Sequence, residues 1–479
     1  MAKRPGAVYI AEIKTRYKEK VYTSYLLRRT YRENGKVRQQ TLGNLSALPP
    51  ETIALLRASL RGQKFIPDHE GLEVRRSWHH GHVAAVGAML RRLQMPRLLA
   101  SLKPEVRERI QALLIARVVA AQSKLATRRW WQTTSLIRTP AVADASVDDL
   151  YEAMDDLLAC QAAVERALAK RHFREGGIVL YDLSSSYVEG AHCPLAARGY
   201  NRDGKVGKKQ VNDGLVLDAE GRPLAVEVYP GNTGDPQTIP HQIQRLKERY
   251  HLSHVVLVGD RGMLTGVHIE KLRSSTDFDW ISALRSKEIQ ALADAGVVAP
   301  SLFDHHDLAE VSSPDYPSER LVVCRNPLLA EHRARTRREL LAATEVHLER
   351  LQRRVAAGHL KQAAKSGVAL GRVLNRFKVG KHFVCEVADG SFRYHRREDN
   401  IAREAAWDGV YIVRTSVPAD SLSSTQTVAT YKSLQHAEQA FRNLKSLDLQ
   451  IRPLRHWTEP PVRAHIFLST CAQFARQAA

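Results

Sequence analysis

Residues 176–190 read GGIVLYDLSSSYVEG. The run 178–181 is apolar and β-rich, and it meets a carboxylate, Asp182, as it ends. Glycines before it and small polar residues after it mark a short buried strand. A charge at such a place is costly unless it is paired or bound to metal. The next residues follow the same grammar. GLVLDAEGRPLAVEVYPGN, 214–232, predicts two strands around the turn 218–221. A helix is predicted over 238–250. HVVLVGDRGM, 254–263, then repeats the opening pattern, an apolar strand that runs into Asp260. A helix near 265–274 and the strand DFDWISALR, 277–285, close the block. Three strands as a meander, then helix and strand in alternation, is the element order of a ribonuclease-H-like α/β core.

Working outward, WDGVYIVRTS at 407–416 is a further apolar strand. It leads into YKSLQHAEQAFRNLK, 431–445, which reads as one amphipathic helix. Tyr431, Glu438 and Lys445 are seven residues apart and share a face, beside an apolar stripe of Leu434, Phe441 and Leu444. Between the two halves of the core, 286–406 reads as a mixed α/β insertion. Its 328–377 part is helical and basic, with two helices hinged near Gly358 and eleven Lys or Arg against four Glu. Upstream, 51–174 carries helix-period apolar residues and reads as a helical domain suited to binding a DNA end. Residues 1–50 form a basic β-rich region. There, Asn34-Gly35 between alternating runs predicts a hairpin. Eleven Lys or Arg against three Glu over 1–48 give that region a net charge of +8, which suits phosphate contact. The domains are therefore 1–50, 51–174, 175–285, 286–406 and 407–479. The last of these ends in an apolar helix that is still apolar at the final residues, which suggests a truncated C-terminus.

The whole chain has 479 residues, 72 Lys plus Arg against 51 Asp plus Glu, and a formal net charge of +21. That balance points to a polyanionic partner. The five cysteines are scattered without a CxxC pair, so neither a disulfide framework nor a cysteine zinc site is supported. His79, His80 and His82 lack a carboxylate or cysteine to complete a metal site and read as a surface cluster. No signal peptide and no membrane-length apolar run is present. A cytoplasmic protein that acts on nucleic acid is the expectation.

The chemistry rests on Asp182, Asp260 and Glu438. If the two aspartate strands are parallel neighbours, both carboxylates emerge at one end of the sheet, where α/β proteins bind ligands. Glu438, on the helix after strand 410–415, completes the set. Three carboxylates without histidine or cysteine suit a hard cation, Mg²⁺ or Mn²⁺. Two such ions can activate a hydroxyl and stabilise the leaving oxygen in phosphodiester displacement.

These residues resemble a DDE-type transposase of bacterial insertion sequences, in the branch with a Tyr-Arg-Glu-Lys signature. Tyr431, Glu438 and Lys445 stand at the signature's intervals, and Leu434 occupies its arginine position. YDLSS at 181–185 and VGDRGM at 258–263 resemble the two aspartate motifs, and 21–48 and 452–470 resemble the same branch. The resemblance implies Asp182, Asp260 and Glu438 as metal ligands, and Tyr431 and Lys445 as contacts to transposon-end phosphates. Arg442, one turn after Glu438, is the arginine left to share that role. It further implies cleavage and strand transfer at inverted DNA ends, and a homodimer, because two ends must be joined. The Leu434 departure motivates the alternative, a catalytically inactive DNA-binding descendant. Trp457 reads as packing rather than a base-stacking wedge.

Overall fold

A computed structural model of the chain describes residues 6–67, 74–252, 254–273, 277–303, 307–446 and 448–477. It divides into two compact units, 1–77 and 78–479.

In the first unit, β1 (Val8–Tyr17), β2 (Lys20–Glu33) and β3 (Lys36–Asn44) form an antiparallel meander. The predicted hairpin is present. Glu33 pairs with Lys36, and Asn34 and Gly35 between them have φ of 51° and 76°. Two positive φ values in a two-residue loop are what a type I′ turn requires, and they match the twist of the strands. The helix Pro50–Leu60 packs on β1, so it belongs with this sheet and not with the helices that follow.

The second unit is built on one eight-stranded mixed sheet. Its strands are β4 (Gly177–Tyr187), β5 (Gln210–Leu217), β6 (Pro223–Pro230), β7 (Val255–Val258), β8 (Phe278–Ala283), β9 (Leu308–Val311), β10 (Arg320–Arg325) and β13 (Val410–Thr415). They lie in the order β6-β5-β4-β7-β8-β13-β10-β9. β4, β7 and β8 are parallel, and the meander β4-β5-β6 is antiparallel. β5 and β7 are buried along their whole length, which explains the unbroken apolar run of β7, while β5 also buries Gln210, Asn212 and Asp213.

The helices Pro104–Val119 and Val147–Ala159 pack on the C-terminal helix Glu459–Gln477, which itself lies on β6. That helix is buried on every side from Ala464 to Ala475, so its apolar residues are interior ones. The helices between residues 81 and 172, the C-terminal helix and the sheet thus share one hydrophobic core, with Trp131, Tyr181, Trp280, Phe467 and Phe474 among its largest members. The stretch 51–174 is accordingly not one independent helical domain. Its first helix joins the N-terminal sheet, and the rest merge with the sheet core.

The interruption 286–406 has two parts. β9 and β10 extend the main sheet beyond β13. The helices Pro327–Ala356 and Ala363–Phe377, with the hairpin β11 (Phe383–Ala388) and β12 (Ser391–Arg396), enclose a smaller core around Leu341, Leu348, Leu351 and Phe383. Gly358, between the two helices, has φ of 73°, as a sharp helix end prefers. Among the described residues, no helix is long and apolar enough to cross a membrane.

Candidate active site

The parallel pairing of β4 and β7 sets the site. Gly177 pairs with Val255 and Leu180 with Val258. Asp182 is two residues past Leu180, and Asp260 two past Val258, so both follow the last paired residues at the same interval, at one end of the sheet. Adjacent strands stand about 4.8 Å apart. Burial pushes the Asp182 carboxyl up to about 7, and the negative charges of Asp260 and Glu438 push the same way. The N–H of Leu183, which donates to Asp182 Oδ1 at 2.8 Å, and the Arg202 guanidinium pull against them. Asp260 and Glu438 therefore both act on Asp182.

Glu438 comes from the helix Gln435–Lys445, which packs on β4 and the C-terminal helix. Ala437, Ala440, Phe441 and Leu444 form its buried face, while Glu438 and Arg442 are exposed. The single helix expected over 431–445 is in fact two. A helix Ser424–Lys432 ends first, and the chain turns at Ser433 and Leu434 before the next begins. Ser433 Oγ donates to the Thr430 carbonyl at 2.6 Å, and tight turns follow, with Leu434 N donating to Tyr431 O and Ala437 N to Leu434 O. Such serine back-bonding competes with the helical ladder. Tyr431 ends the first helix. Burial pushes its hydroxyl up to about 12, with Asp260 and Glu438 adding to the shift and Arg261 opposing it. Leu434 is half-buried against the main core.

Lys445 points inward. Its side chain is 10% exposed. Its Nζ donates to Ser184 Oγ at 2.5 Å and to Asp203 Oδ1 at 3.0 Å. Asp203 is also ion-paired with Arg452 and accepts from the Tyr187 N–H at 3.2 Å. Alternation on β4 puts Asp182, Ser184 and Ser186 on one face. Ser184 lies opposite Asp213 of β5, and Ser186 Oγ donates to Asp213 Oδ2 at 2.5 Å. Burial pushes Asp213 up to about 6, with Lys445 opposing and Asp203 adding. The face of β4 that carries Asp182 thus continues into a buried polar layer. Sequence reading missed Asp203, Asp213, Arg202 and Arg452. Asp213 offered a signal, because a carboxylate just before the apolar run 215–217 needs a partner once buried. Asp203 sits in a glycine- and lysine-rich loop, which reads as solvated.

The other sequence candidates lie apart from this set. His80 Nδ1 is 2.7 Å from Ser135 Oγ, and His79 and His82 are ring neighbours at 6.1 Å. Trp457 is not packing in the expected sense. It is 67% exposed, beside the His192 ring.

The oxygen-only donor set of Asp182, Asp260 and Glu438 fits a hard divalent cation. Burial first, and the charges of Asp260 and Glu438 after it, hold Asp182 above the usual carboxylate range, and a bound cation would offset both. Among the described residues, no three His, Cys, Asp or Glu side chains already stand close enough to hold one ion.

The family model described as transposase DDE domain matches residues 174–474, more than half of the chain, and the chain belongs to that family. Residues 10–68 match a second model, described as the N-terminal domain of IS1634 family transposases. No curated protein matches the chain. The family's work is DNA transposition, which entails DNA binding, and it typically uses divalent metal.

Proposed function

We propose that this chain is a metal-dependent transposase that cuts DNA at the inverted ends of an insertion sequence and joins the freed 3′-hydroxyl to target DNA at the same site. Asp182, Asp260 and Glu438 would hold one or two Mg²⁺ or Mn²⁺ ions. The observation that carries this reading is the matched interval of Asp182 and Asp260 past the last paired residues, with Asp260 and Glu438 both acting on the Asp182 carboxylate. The strand order β6-β5-β4-β7-β8, antiparallel meander then parallel strands, supports a ribonuclease-H-like core. Bound cations would polarise the scissile phosphate and lower the pKa of an attacking hydroxyl.

The protein's own groups have separable tasks. Tyr431 and Arg442 flank Glu438 and are the candidates for phosphate contact at the cleaved end. Lys445 works from beneath, tying the Glu438 helix to Ser184 and Asp203. The cationic N-terminal sheet and the basic helices of 327–377 supply sequence-independent attraction to duplex DNA. Joining two ends requires two copies of the chain on DNA. The binding-only alternative finds no support in the site, where all three carboxylates are present.

Glu438→Gln keeps the side chain's size and removes its charge. It should abolish Mg²⁺-dependent nicking of an inverted-repeat duplex while leaving end binding within about threefold. Normal nicking by this variant would remove Glu438 from the mechanism.

A further inference from the structure

A cavity of about 270 Å³ opens where the helix Pro104–Val119, the start of the helix Lys124–Trp131, the 450–456 loop and the C-terminal helix meet. Its wall carries Arg117, Lys124, Arg452 and Arg455, and no carboxylate lines it among the described residues. Arg117 and Lys124 are each only 5% exposed.

Buried cations are ordinarily paired with an acid. Here the internal partners are neutral. Arg117 donates to the Leu449 carbonyl at 3.1 Å. Its other terminal nitrogen and the Lys124 ammonium both approach His465 Nδ1, at 3.3 and 3.4 Å. His465 Nε2 lies 3.2 Å from the Ile451 carbonyl, so that nitrogen must carry the ring proton. Nδ1 is then a lone-pair acceptor and the ring is uncharged. One lone pair cannot satisfy Lys124, which has three donors. Gln122 adds an independent sign. The residue lines the same cavity, and its Nε2 is buried with no hydrogen-bond partner. Ser123 Oγ accepts from the Ala126 N–H and keeps its own proton to donate. The helix that Ser123 caps adds the positive end of its dipole.

Arg452 and Arg455 have acid partners outside the cavity, Asp203 and Glu189, but the buried pair Arg117 and Lys124 has none. Two buried cations without an anion, with room for several water volumes, call for one kind of occupant. It is an oxyanion of more than one negative charge. We propose that this cavity is a phosphoryl-binding site, in which Lys124, Arg117 and Gln122 hold the phosphate of a small phosphorylated molecule or of a DNA strand's 5′ end. Lysine and arginine together are the usual means of holding phosphate, and the space admits a phosphoryl group with part of what it is attached to. The assignment does not depend on metal at the three carboxylates. The two sites are nevertheless joined, because Arg452 lines the cavity and also pairs with Asp203, which holds Lys445 on the Glu438 helix.

The test uses the full chain in EDTA, so that phosphate cannot bind through a cation at the carboxylates. Melting temperature and affinity are measured with sodium pyrophosphate, with a short single strand bearing a 5′-phosphate, and with the same strand bearing a 5′-hydroxyl. Sodium chloride at matched ionic strength is the control. Wild type should be stabilised by pyrophosphate, or should prefer the phosphorylated strand. Lys124→Met and Gln122→Leu should each weaken that binding, Lys124→Met by about tenfold or more. Without phosphate, Lys124→Met should melt no lower than wild type, because it removes a buried charge that has no acid partner. A 5′-phosphate preference that these variants abolish assigns the site to a DNA end. Pyrophosphate binding without that preference assigns it to a small phosphorylated ligand. If wild type shows neither response beyond the chloride control, or if both survive in Lys124→Met and Gln122→Leu, the proposal is wrong. Should Lys124→Met fail to fold, Gln122→Leu alone decides.

Discussion

Asp203→Asn is the substitution that most directly tests how the site is held. Asp203 is 1% exposed and carries the counter-charge for two cations, Lys445 and Arg452. The asparagine has the same shape but no charge, and its amide would turn two donors toward groups that are themselves donors. Removing one member of a buried ion pair typically costs about 3–5 kcal/mol. Two features favour the lower end. Lys445 keeps its bond to Ser184, and Arg452 is 27% exposed and can regain water. A loss of about 3 kcal/mol is therefore expected, or close to 1 M in urea midpoint for an m value of roughly 3 kcal/mol/M.

The penalty has a pH signature. Burial pushes the Lys445 pKa down, with Asp203 and Asp213 opposing that shift. Without Asp203 it must fall further. A lysine whose folded pKa lies below its unfolded value destabilises the fold fully at pH below the folded value. That cost disappears as pH rises to the unfolded value, about 10.4. The gap between wild type and Asp203→Asn should thus be widest at neutral pH and narrow in the alkaline range. In the double variant Asp203→Asn/Lys445→Met, part of the loss should return, because the stranded cation is gone. Urea unfolding followed by tryptophan fluorescence at pH 7 and pH 9.5 reads all of this. A midpoint within about 0.2 M of wild type at pH 7 would refute a buried, charge-bearing role for Asp203.

Two further outcomes are expected. Glu165 is fully buried and accepts from Arg245 at 2.8 Å, Tyr250 at 3.0 Å, Gln161 at 2.8 Å and the Val226 N–H at 3.1 Å. Glu165→Ala leaves Arg245 with the neutral Gln242 and Tyr250 and a longer ion pair to Glu227, at 3.4 Å, and should lower stability by about 3–5 kcal/mol in the same urea assay. If the exposed Arg354 and Arg372 touch DNA phosphates, Arg354→Ala/Arg372→Ala should reduce the slope of log affinity against log salt by about 2. An unchanged slope would make that face a solvated one.

Much of this was readable in the sequence because the decisive strands are buried. β4 and β7 are apolar runs that meet a carboxylate, and that interruption marked Asp182 and Asp260 before any pairing was known. What the sequence concealed is long-range. Nothing local to 308–325 shows that β9 and β10 add to the main sheet, because the pairing partner of β10 is β13, about a hundred residues downstream. Arg117 was hidden differently. Within ALLIARVVA, 112–120, it breaks an apolar run just as Asp182 ends one. A cation can extend its apolar stem and reach water, so its burial does not follow from position alone.

The joint at Ser433 and Leu434 shows why spacing misled at the site itself. Intervals of seven fit a straight helix, and no proline or glycine marks a break. In a straight helix Tyr431 and Glu438 would be about 10.5 Å apart along one axis. In the fold, the helix of Tyr431 packs on β13, β8, β9 and β10, while that of Glu438 packs on β4. β4 and β13 are three strand positions apart, or about 14 Å. One element has to seat the tyrosine by Asp260 and the other the glutamate by Asp182, and the turn between them lets each follow its own strands. Leu434 occupies that turn and packs against the main core. A leucine at the signature's arginine position therefore anchors the joint by burial.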